Sequence, residues 1–207
     1  MAFAPYADLA EFRDWIVLPD AIDDAVIVGV VASVTEWIDE YCDRHFWRDG
    51  VGGSEVARTF VPCHSYRLDI DDLVPGSVTD FKTDESGDGT FETIWSVSDY
   101  QLLPVNRPTG RPFTSVEAVG GRLFPIRYDR MRSDRVEITG IWGWSAVPNA
   151  VHQACLIQSA RILKARYSPE GQAGVDAFGG VVRVPGQVDP RAIDLLNPYR
   201  RTAVLVA

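Results

Sequence analysis

The residues best placed to do chemistry are the carboxylates of one short acidic loop, Asp84 to Glu92. Asp84, Ser86 and Asp88 alternate and a glycine follows, which is the order that opens a calcium-binding loop. The twelfth position, which supplies a bidentate glutamate in such loops, is Trp95. Asp-Gly and Gly-Asp pairs are also common in hairpin turns for backbone reasons alone. The spacing therefore favours a hairpin turn over a calcium site, and no cofactor is expected.

Cysteine and histidine could hold zinc, but their spacing is poor. Cys42 and His45 lie one turn apart on a predicted helix, whereas Cys63 and His64 are adjacent and His152 is remote. A structural zinc site usually needs two ligand pairs with C-x₂₋₄-C or H-x₃₋₅-H spacing. We therefore predict small buried thiols, packed or exposed imidazoles and no metal. Three widely spaced cysteines also favour free thiols over a disulfide framework.

Motifs for nucleophilic or phosphate chemistry do not occur in the sequence. There is no G-x-S-x-G nucleophile elbow, no G-x-x-x-x-G-K-[ST] phosphate loop and no G-x-G-x-x-G fingerprint. The glycine-rich stretch 171–186 contains no lysine and follows a helix, whereas a phosphate cradle would precede one. We therefore predict that the protein is not an enzyme.

Negative charge is concentrated near the N-terminus. Residues 1–49 carry eleven acidic side chains and three arginines, a net charge of −8, against −9 for the 207-residue chain. Such a helical surface is either simply solvated, or a repulsive wall, or a docking face for a basic partner. The sequence contains no cluster of Lys and Arg of the kind that indicates nucleic-acid binding. No apolar run approaches the ~20 residues of a membrane helix, so no membrane partner is expected.

Hydrophobic periodicity predicts an α+β fold with a helical core. The predicted helices are residues 7–17, Asp20 to about Phe46, and 149–167. The third is apolar on most faces, which is typical of a buried helix, and it follows Pro148, which suits a first helical turn. A short helical signal returns at 189–196, after the glycine-rich stretch.

Between the second and third helices the pattern changes to the period of two that is typical of strands. Six or seven strands are expected, near 58–61, 66–70, 78–82, 90–96, 100–103, 115–119 and 135–141. The acidic loop then joins two of them in a hairpin. The predicted organisation is 1–50 for the N-terminal helices of the core, 51–145 for an inserted antiparallel β domain, 146–168 for the third core helix, and 169–207 for an extended C-terminal arm with a short helix.

The second half of the chain carries an ordered series of weak motifs. It reads WGWSAVPNAV from Trp142 to Val151, RYSPEGQAGVDAFG from Arg166 to Gly179, VVRV from Val181 to Val184, then Asp189-Pro190 and LLNPYR from Leu195 to Arg200. In this order the chain resembles the head-to-tail adaptors of long-tailed phages of actinobacteria, which belong to the head–tail connectors. The resemblance extends over the whole chain.

The resemblance implies a structural protein of the virion, located in the neck at the head–tail interface and assembled in the host cytoplasm. It implies a homo-oligomeric, dodecameric ring that binds the phage portal protein on one side and a stopper or other neck or tail protein on the other. DNA would pass through the lumen on its way out of the head without specific binding.

Two sets of residues are the candidate contacts. The first would meet the portal or a neighbouring subunit and comprises Phe178, Val182, Arg183, Val184, Ile193, Leu195, Leu196, Tyr199 and Arg200. The second would line the lumen or meet a basic partner and comprises Glu36, Asp39, Glu40 and Asp43. The arm from about Glu170 onward is predicted to be mobile in the free protein and ordered in the assembly, because glycine-rich segments often fold on binding.

A second interpretation is a calcium- or carbohydrate-binding β module, or a hydrolase, with its site in the β domain. It predicts that Trp95, Tyr100, Phe113 and Phe124 are exposed as an aromatic patch.

Overall fold

A computed structural model describes residues 5–16, 23–50, 53–126, 135–167, 172–175, 181–183 and 188–201. The chain divides into two compact units. Residues 1–45 and 147–207 form the helical unit, and residues 46–146 form the β unit. The β unit is inserted in sequence between helices of the helical unit, so the predicted α+β class with an antiparallel β insertion is confirmed.

The β unit contains two antiparallel sheets. Its strands in the described residues are β1 (Val56–Phe60), β2 (Arg67–Leu73), β3 (Asp80–Thr83), β4 (Thr93–Ile94), β5 (Tyr100–Leu103), β6 (Phe113–Ala118) and β7 (Val136–Gly140). One sheet has the order β1-β7-β3-β4 and the other β2-β6-β5. The hairpin predicted across the acidic loop is confirmed, because Lys82 pairs with Ile94 and Thr83 pairs with Thr93.

Aromatic rings fill the core of the β unit. Trp95 stacks on Phe124 with ring centroids 5.1 Å apart and on Phe81 at 5.3 Å. Trp95 is 4% exposed and Phe124 2% exposed, so the prediction of an exposed aromatic patch is wrong for both. The Trp95 indole N–H finds a partner in the Thr83 hydroxyl at 3.0 Å, as a buried tryptophan requires. The remaining two of the four, Tyr100 and Phe113, are half-buried against the same core.

The Trp142-Gly143-Trp144 segment closes the β unit through its backbone. The Gly143 N–H donates to the Asp72 carbonyl at 2.6 Å, and the Trp144 N–H donates to the Trp47 carbonyl at 3.1 Å. Gly143 has a φ of 95°, and a Cβ added there would lie 1.9 Å from the Trp47 carbonyl oxygen. Only glycine fits this crossing of two backbones, for conformation and for space.

The helical unit contains four helices in its described residues. They are α1 (Leu9–Trp15), α2 (Asp24–Cys42), α3 (Asn149–Tyr167) and α4 (Pro190–Leu196), and a 3-10 turn follows at Asn197–Tyr199. Two short strands, β8 (Gln172–Val175) and β9 (Val181–Arg183), pair antiparallel. None of these helices has the length and apolar character needed to span a bilayer.

The ends of α2 differ from their predicted positions. Asp23 caps its N-terminus, with its carboxylate accepting from the Ala25 N–H at 3.0 Å, whereas the expected cap, Asp20, lies outside the described residues. The helix ends at Cys42, so the predicted end near Phe46 is wrong. Asp43 takes the left-handed conformation with φ 51°, and its N–H bonds back to the last turn, which terminates the helix.

Helices α2 and α3 form the core of the helical unit. Thr35 Oγ1 lies 3.9 Å from Cys155 Sγ, and Ala25 and Arg166 line one groove. Earlier residues of α2 therefore lie beside later residues of α3, so the two helices run antiparallel. The α2 side chains that point inward are Ile27, Val31, Val34 and Ile38, at helical spacing, and each is at most 3% exposed. From α3 the buried residues are Val151, Ala154, Cys155, Leu156, Gln158, Ser159, Ala160 and Leu163, which confirms the prediction that this helix is buried.

Candidate functional site

The predicted acidic face exists as one surface of α2. Glu36, Glu40 and Asp43 are exposed, and Asp39 is partly buried beside them. Their spacing of three and four residues places all four on one side of the helix over its C-terminal half. Four carboxylates in two turns make this the most strongly charged surface of α2.

Asp39 is tied to the N-terminal segment rather than left in solvent. The Tyr6 hydroxyl donates to its carboxylate, and the Tyr6 N–H donates to Thr35 Oγ1 at 3.2 Å. Burial raises the pKa of the Asp39 carboxyl to about 7, the Tyr6 hydrogen bond partly lowers it, and the neighbouring Glu36 raises it further. Near neutral pH the acidic face therefore carries less negative charge than its composition indicates.

A groove lies beside the acidic face, between α2 and α3. It has a volume of about 340 Å³ and is lined by Ala25, Val26, Gly29, Val30, Ser33, Ile162 and Arg166. Its α2 wall is built from small or short side chains, and Arg166 provides its charge. Sequence reasoning missed the groove, because its other wall comes from a distant part of the chain.

The C-terminal contact residues after 188 are docked on the rest of the helical unit. Asp189 caps α4 and receives an ion pair from Arg161 at 3.0 Å. Its backbone N–H also donates to the Gln158 side chain at 2.9 Å. Further along, the Tyr41 hydroxyl donates to Asn197 at 2.7 Å, and the Arg201 N–H donates to the Cys42 carbonyl at 2.9 Å. For residues 188–201 these polar contacts favour a docked segment over the predicted mobile arm, and the mobility of the free protein stays a prediction.

The burial of these residues separates those that can reach a partner from those that cannot. Leu196 is 0% exposed, so it belongs to the core of the helical unit and offers no surface. Ile193, Leu195 and Tyr199 are partly buried. Arg200 is exposed and lies over the Tyr41 ring, 4.9 Å from its centroid.

The remaining residues of this set fall in or next to β9 in the sequence. Val182 and Arg183 belong to β9, where Arg183 is opposite Gln172 in the register. Phe178 and Val184 lie outside the described residues. The structure therefore groups the second half of the set on and just after α4.

The acidic loop forms a turn that uses its own backbone. Asp84 is 0% exposed, and its carboxylate accepts from the Gly87 N–H, the Gly89 N–H at 2.9 Å and the Ser86 hydroxyl at 3.2 Å. Burial raises the pKa of this carboxyl, but the hydrogen bonds from Gly89, Gly87 and Ser86 outweigh burial and leave the pKa below its ordinary value. Carboxylate oxygens of Asp84, Asp88 and Glu92 lie within 4.8 Å of one another. Since backbone donors already occupy Asp84, the arrangement acts as a turn.

The cysteines behave as two buried thiols and one exposed thiol. Cys42 and Cys155 are buried, and Cys63 is exposed. Burial raises the pKa of the Cys42 thiol to about 12 and that of Cys155 to about 11, so neither is a thiolate at neutral pH. The predicted buried thiols are therefore confirmed for these two residues.

One contact that sequence reasoning missed joins α1 to α3. His152 Nε2 lies 2.9 Å from a carboxylate oxygen of Glu11. Arg13 also pairs with Asp24, which joins α1 to the first turn of α2. No pattern in the sequence links these residues, because each pair depends on how three helices pack.

Comparison with known proteins identifies the fold. No family model matches the chain, and neither does any curated protein. A chain from a structure described as the virion of a native gene transfer agent (GTA) particle matches with 23% identity and a TM-score of 0.50, covering 98% of this chain and 93% of that chain. A chain from the neck of an empty GTA particle, computed with C6 symmetry, matches with 20% identity and a TM-score of 0.52 over the same shares. The protein therefore shares the fold of these chains over nearly its whole length.

Proposed function

We propose that the protein is a structural component of the neck of a phage or phage-like particle, where it joins the head to the tail. The observation that carries the proposal is the likeness of fold to a chain from a GTA neck, which covers 98% of this chain. The order of sequence motifs from Trp142 to Arg200 is separate support, because it resembles head-to-tail adaptors of the head–tail connector family.

In this role the protein forms a homo-oligomeric ring beneath the portal. The portal binds one side, and a stopper or another neck protein binds the other. Tyr199 and Arg200 are suited to such a contact, because aromatic residues and arginine are enriched in interfaces and both follow a docked helix. Ile193 and Leu195 add partly exposed apolar surface next to them. Leu196 is excluded by its burial.

The acidic face of α2 serves a passage for DNA better than it serves a DNA-binding surface. Each Lys or Arg that neutralises a phosphate adds salt-dependent affinity, which would hold the duplex in place. Exposed Glu36, Glu40 and Asp43 repel phosphates instead, over a Debye length of about 8 Å at physiological salt. The alternative is that this face meets a basic portal surface. A position in the lumen and a contact with the portal predict different effects of charge reversal.

A genetic experiment tests the proposal. Cells that produce the particle without this gene are expected to make DNA-filled heads and separate tails that do not join. The parental gene supplied in trans should restore tailed particles. Tailed, infective particles in the absence of the protein would contradict the proposal. Changing Glu36, Glu40 and Asp43 to lysine distinguishes a lumen position, which predicts assembled particles that eject DNA poorly, from a portal contact, which predicts unjoined heads.

A further inference from the structure

Residues 5–8, the strap, precede α1 and are attached to α2 at two points one helical turn apart. The Tyr6 N–H donates to Thr35 Oγ1 at 3.2 Å, and the Tyr6 hydroxyl donates to an Asp39 carboxylate oxygen. Tyr6 is 3% exposed and Ala7 4% exposed, so the strap packs closely over this part of the helical unit. Since one residue makes both contacts, movement of Tyr6 away from α2 would break them together.

Helix α1 has attachments of its own that do not involve the strap. Phe12 is fully buried, and Glu11 lies against His152 of α3. His152 is charged only when it is protonated, so acid also favours the packing of α1. Asp8 caps α1 in an extended conformation and accepts from the Glu11 N–H at 2.8 Å. The backbone therefore changes from extended to helical at Asp8, and α1 can stay packed when the strap lifts.

The attachment of the strap to Asp39 depends on a proton. Burial raises the pKa of the Asp39 carboxyl, the Tyr6 hydrogen bond partly lowers it and the Glu36 charge raises it, which gives about 7 against an ordinary 3.8. Tyr6 contributes to that burial, because its own buried side chain covers the carboxylate. When the strap lifts, water reaches Asp39 and its pKa falls towards the ordinary value. The strap that is docked thus binds this proton more tightly than the strap that has lifted, so acid favours docking.

The groups around Asp39 come from α2, from α3 and from the segment after α4. Burial raises the pKa of the Cys155 thiol, which faces Thr35, to about 11 and that of the Cys42 thiol to about 12, so both stay protonated at neutral pH. The charged groups near this end of α2 are Glu36, Glu40, Asp43, Arg44 and Arg200. Glu36 is the charge that raises the pKa of Asp39, so ionised Asp39 adds to a surface that is already acidic.

We propose that the strap is a proton-dependent latch, which protonation of Asp39 holds on α2 and ionisation of Asp39 releases. Release changes the acidic face in two ways. It uncovers Thr35, and it adds Asp39 to the three carboxylates that are already exposed. The latch therefore couples the shape of this surface to its charge. It lies within the helical unit of one chain, so its test is separate from the genetic experiment above.

Hydrogen exchange of single amides tests the latch, because the Tyr6 N–H is one of its two contacts. Exchange is followed by NMR on the full chain, and each rate is divided by that of an unstructured peptide at the same pH. The protection of Tyr6 should fall about tenfold between pH 5 and pH 7, where Asp39 loses its proton, and then change little up to about pH 8.5. The Phe12 N–H, which donates to the Asp8 carbonyl at 3.0 Å, reports the opening of α1 and should change by less than about threefold.

Three variants connect this pH dependence to Asp39. Asp39→Asn keeps a neutral acceptor for the Tyr6 hydroxyl at every pH, so the protection of Tyr6 should no longer depend on pH. Glu36→Gln removes a charge that raises the pKa of Asp39, so the fall in protection should move to lower pH. Glu40→Gln removes an exposed carboxylate of the same face and is the matched control, in which the profile of Tyr6 should stay as in the parent.

The proposal is overturned if the Tyr6 amide is unprotected at every pH, or if its protection stays constant or increases from pH 5 to pH 7. It is also overturned if Asp39→Asn keeps the pH dependence of the parent. A loss of Phe12 protection in step with that of Tyr6 contradicts it equally, because α1 would then open as a whole. If Asp39→Asn does not fold, Glu36→Gln decides, and a profile that does not move overturns the latch.

Discussion

Replacing Gly143 by alanine tests the account of the β unit most severely. The new Cβ would lie 1.9 Å from the Trp47 carbonyl oxygen, a distance that no rearrangement of a side chain can relieve because both partners are backbone. Alanine at a φ of 95° is also strained, by about 1 to 2 kcal/mol. The two backbones must therefore move apart.

The cost follows from what that movement breaks. The hydrogen bond from Trp144 to Trp47 crosses this contact, and the hydrogen bond from Gly143 to Asp72 begins at the residue that must move. Each contributes about 1 kcal/mol net. With the conformational strain, the free energy of unfolding should fall by about 3 to 4 kcal/mol. For a chain of 207 residues, each kcal/mol lowers the melting temperature by roughly 2 to 4 °C.

Gly121→Ala is the matched control. Gly121 lies in the same unit with a φ of 82°, but a Cβ there meets nothing within 4 Å. It should therefore cost only the strain of about 1 to 2 kcal/mol. Urea unfolding followed by tryptophan fluorescence compares the two variants. Equal losses for both would refute the reasoning, because the close approach at Trp47 would then contribute nothing.

Three further predictions follow from the contacts of single residues. Asp84→Asn should lower the free energy of unfolding by about 2 kcal/mol, because the hydrogen bonds of the turn become weaker. The parent protein should have the same melting temperature in calcium and in a chelator, and a shift of several degrees would mean bound metal. The folded-state pKa of Asp39 is raised to about 7 from 3.8, so its ionisation opposes folding as pH rises from about 4 to 7. Asp39→Asn should therefore flatten the stability loss between about pH 4 and 7, by about 1 kcal/mol after allowance for partial exposure, and an unchanged pH profile would contradict that assignment. Hydrogen exchange should show protected amides in α4 of the free protein, and Arg161→Ala should reduce that protection; exchange as fast as in an unfolded chain would return α4 to a mobile arm.

The sequence predicted those elements whose signal is local. Alternation along β2, β5 and β7 and the apolar faces of α3 appear within a few residues of each position, so their strands and helix were found nearly at their true bounds. The acidic loop was predicted as a turn because Asp-Gly pairs favour one. The order of motifs after Trp142 predicted a phage neck protein, and the chain shares its fold with a chain from a GTA neck.

The features that sequence reasoning missed depend on distant residues. Composition alone made the segment after Glu170 look mobile, but the Arg161–Asp189 pair and the Tyr41–Asn197 hydrogen bond dock its helix. The groove likewise needs α3 to pack beside Gly29, which no local pattern shows. The aromatic patch was wrong because residues with strand spacing, such as Trp95, can face either side of a sheet, and this one faces inward.

Cryo-electron microscopy of purified particles from the source that encodes this chain tests the central claim most directly. The account predicts a ring of density beneath the portal into which the helical unit and the β unit each fit, with the acidic face of α2 turned to the channel or to the portal. The protein's absence from the particles, or its density anywhere other than the neck, would contradict it.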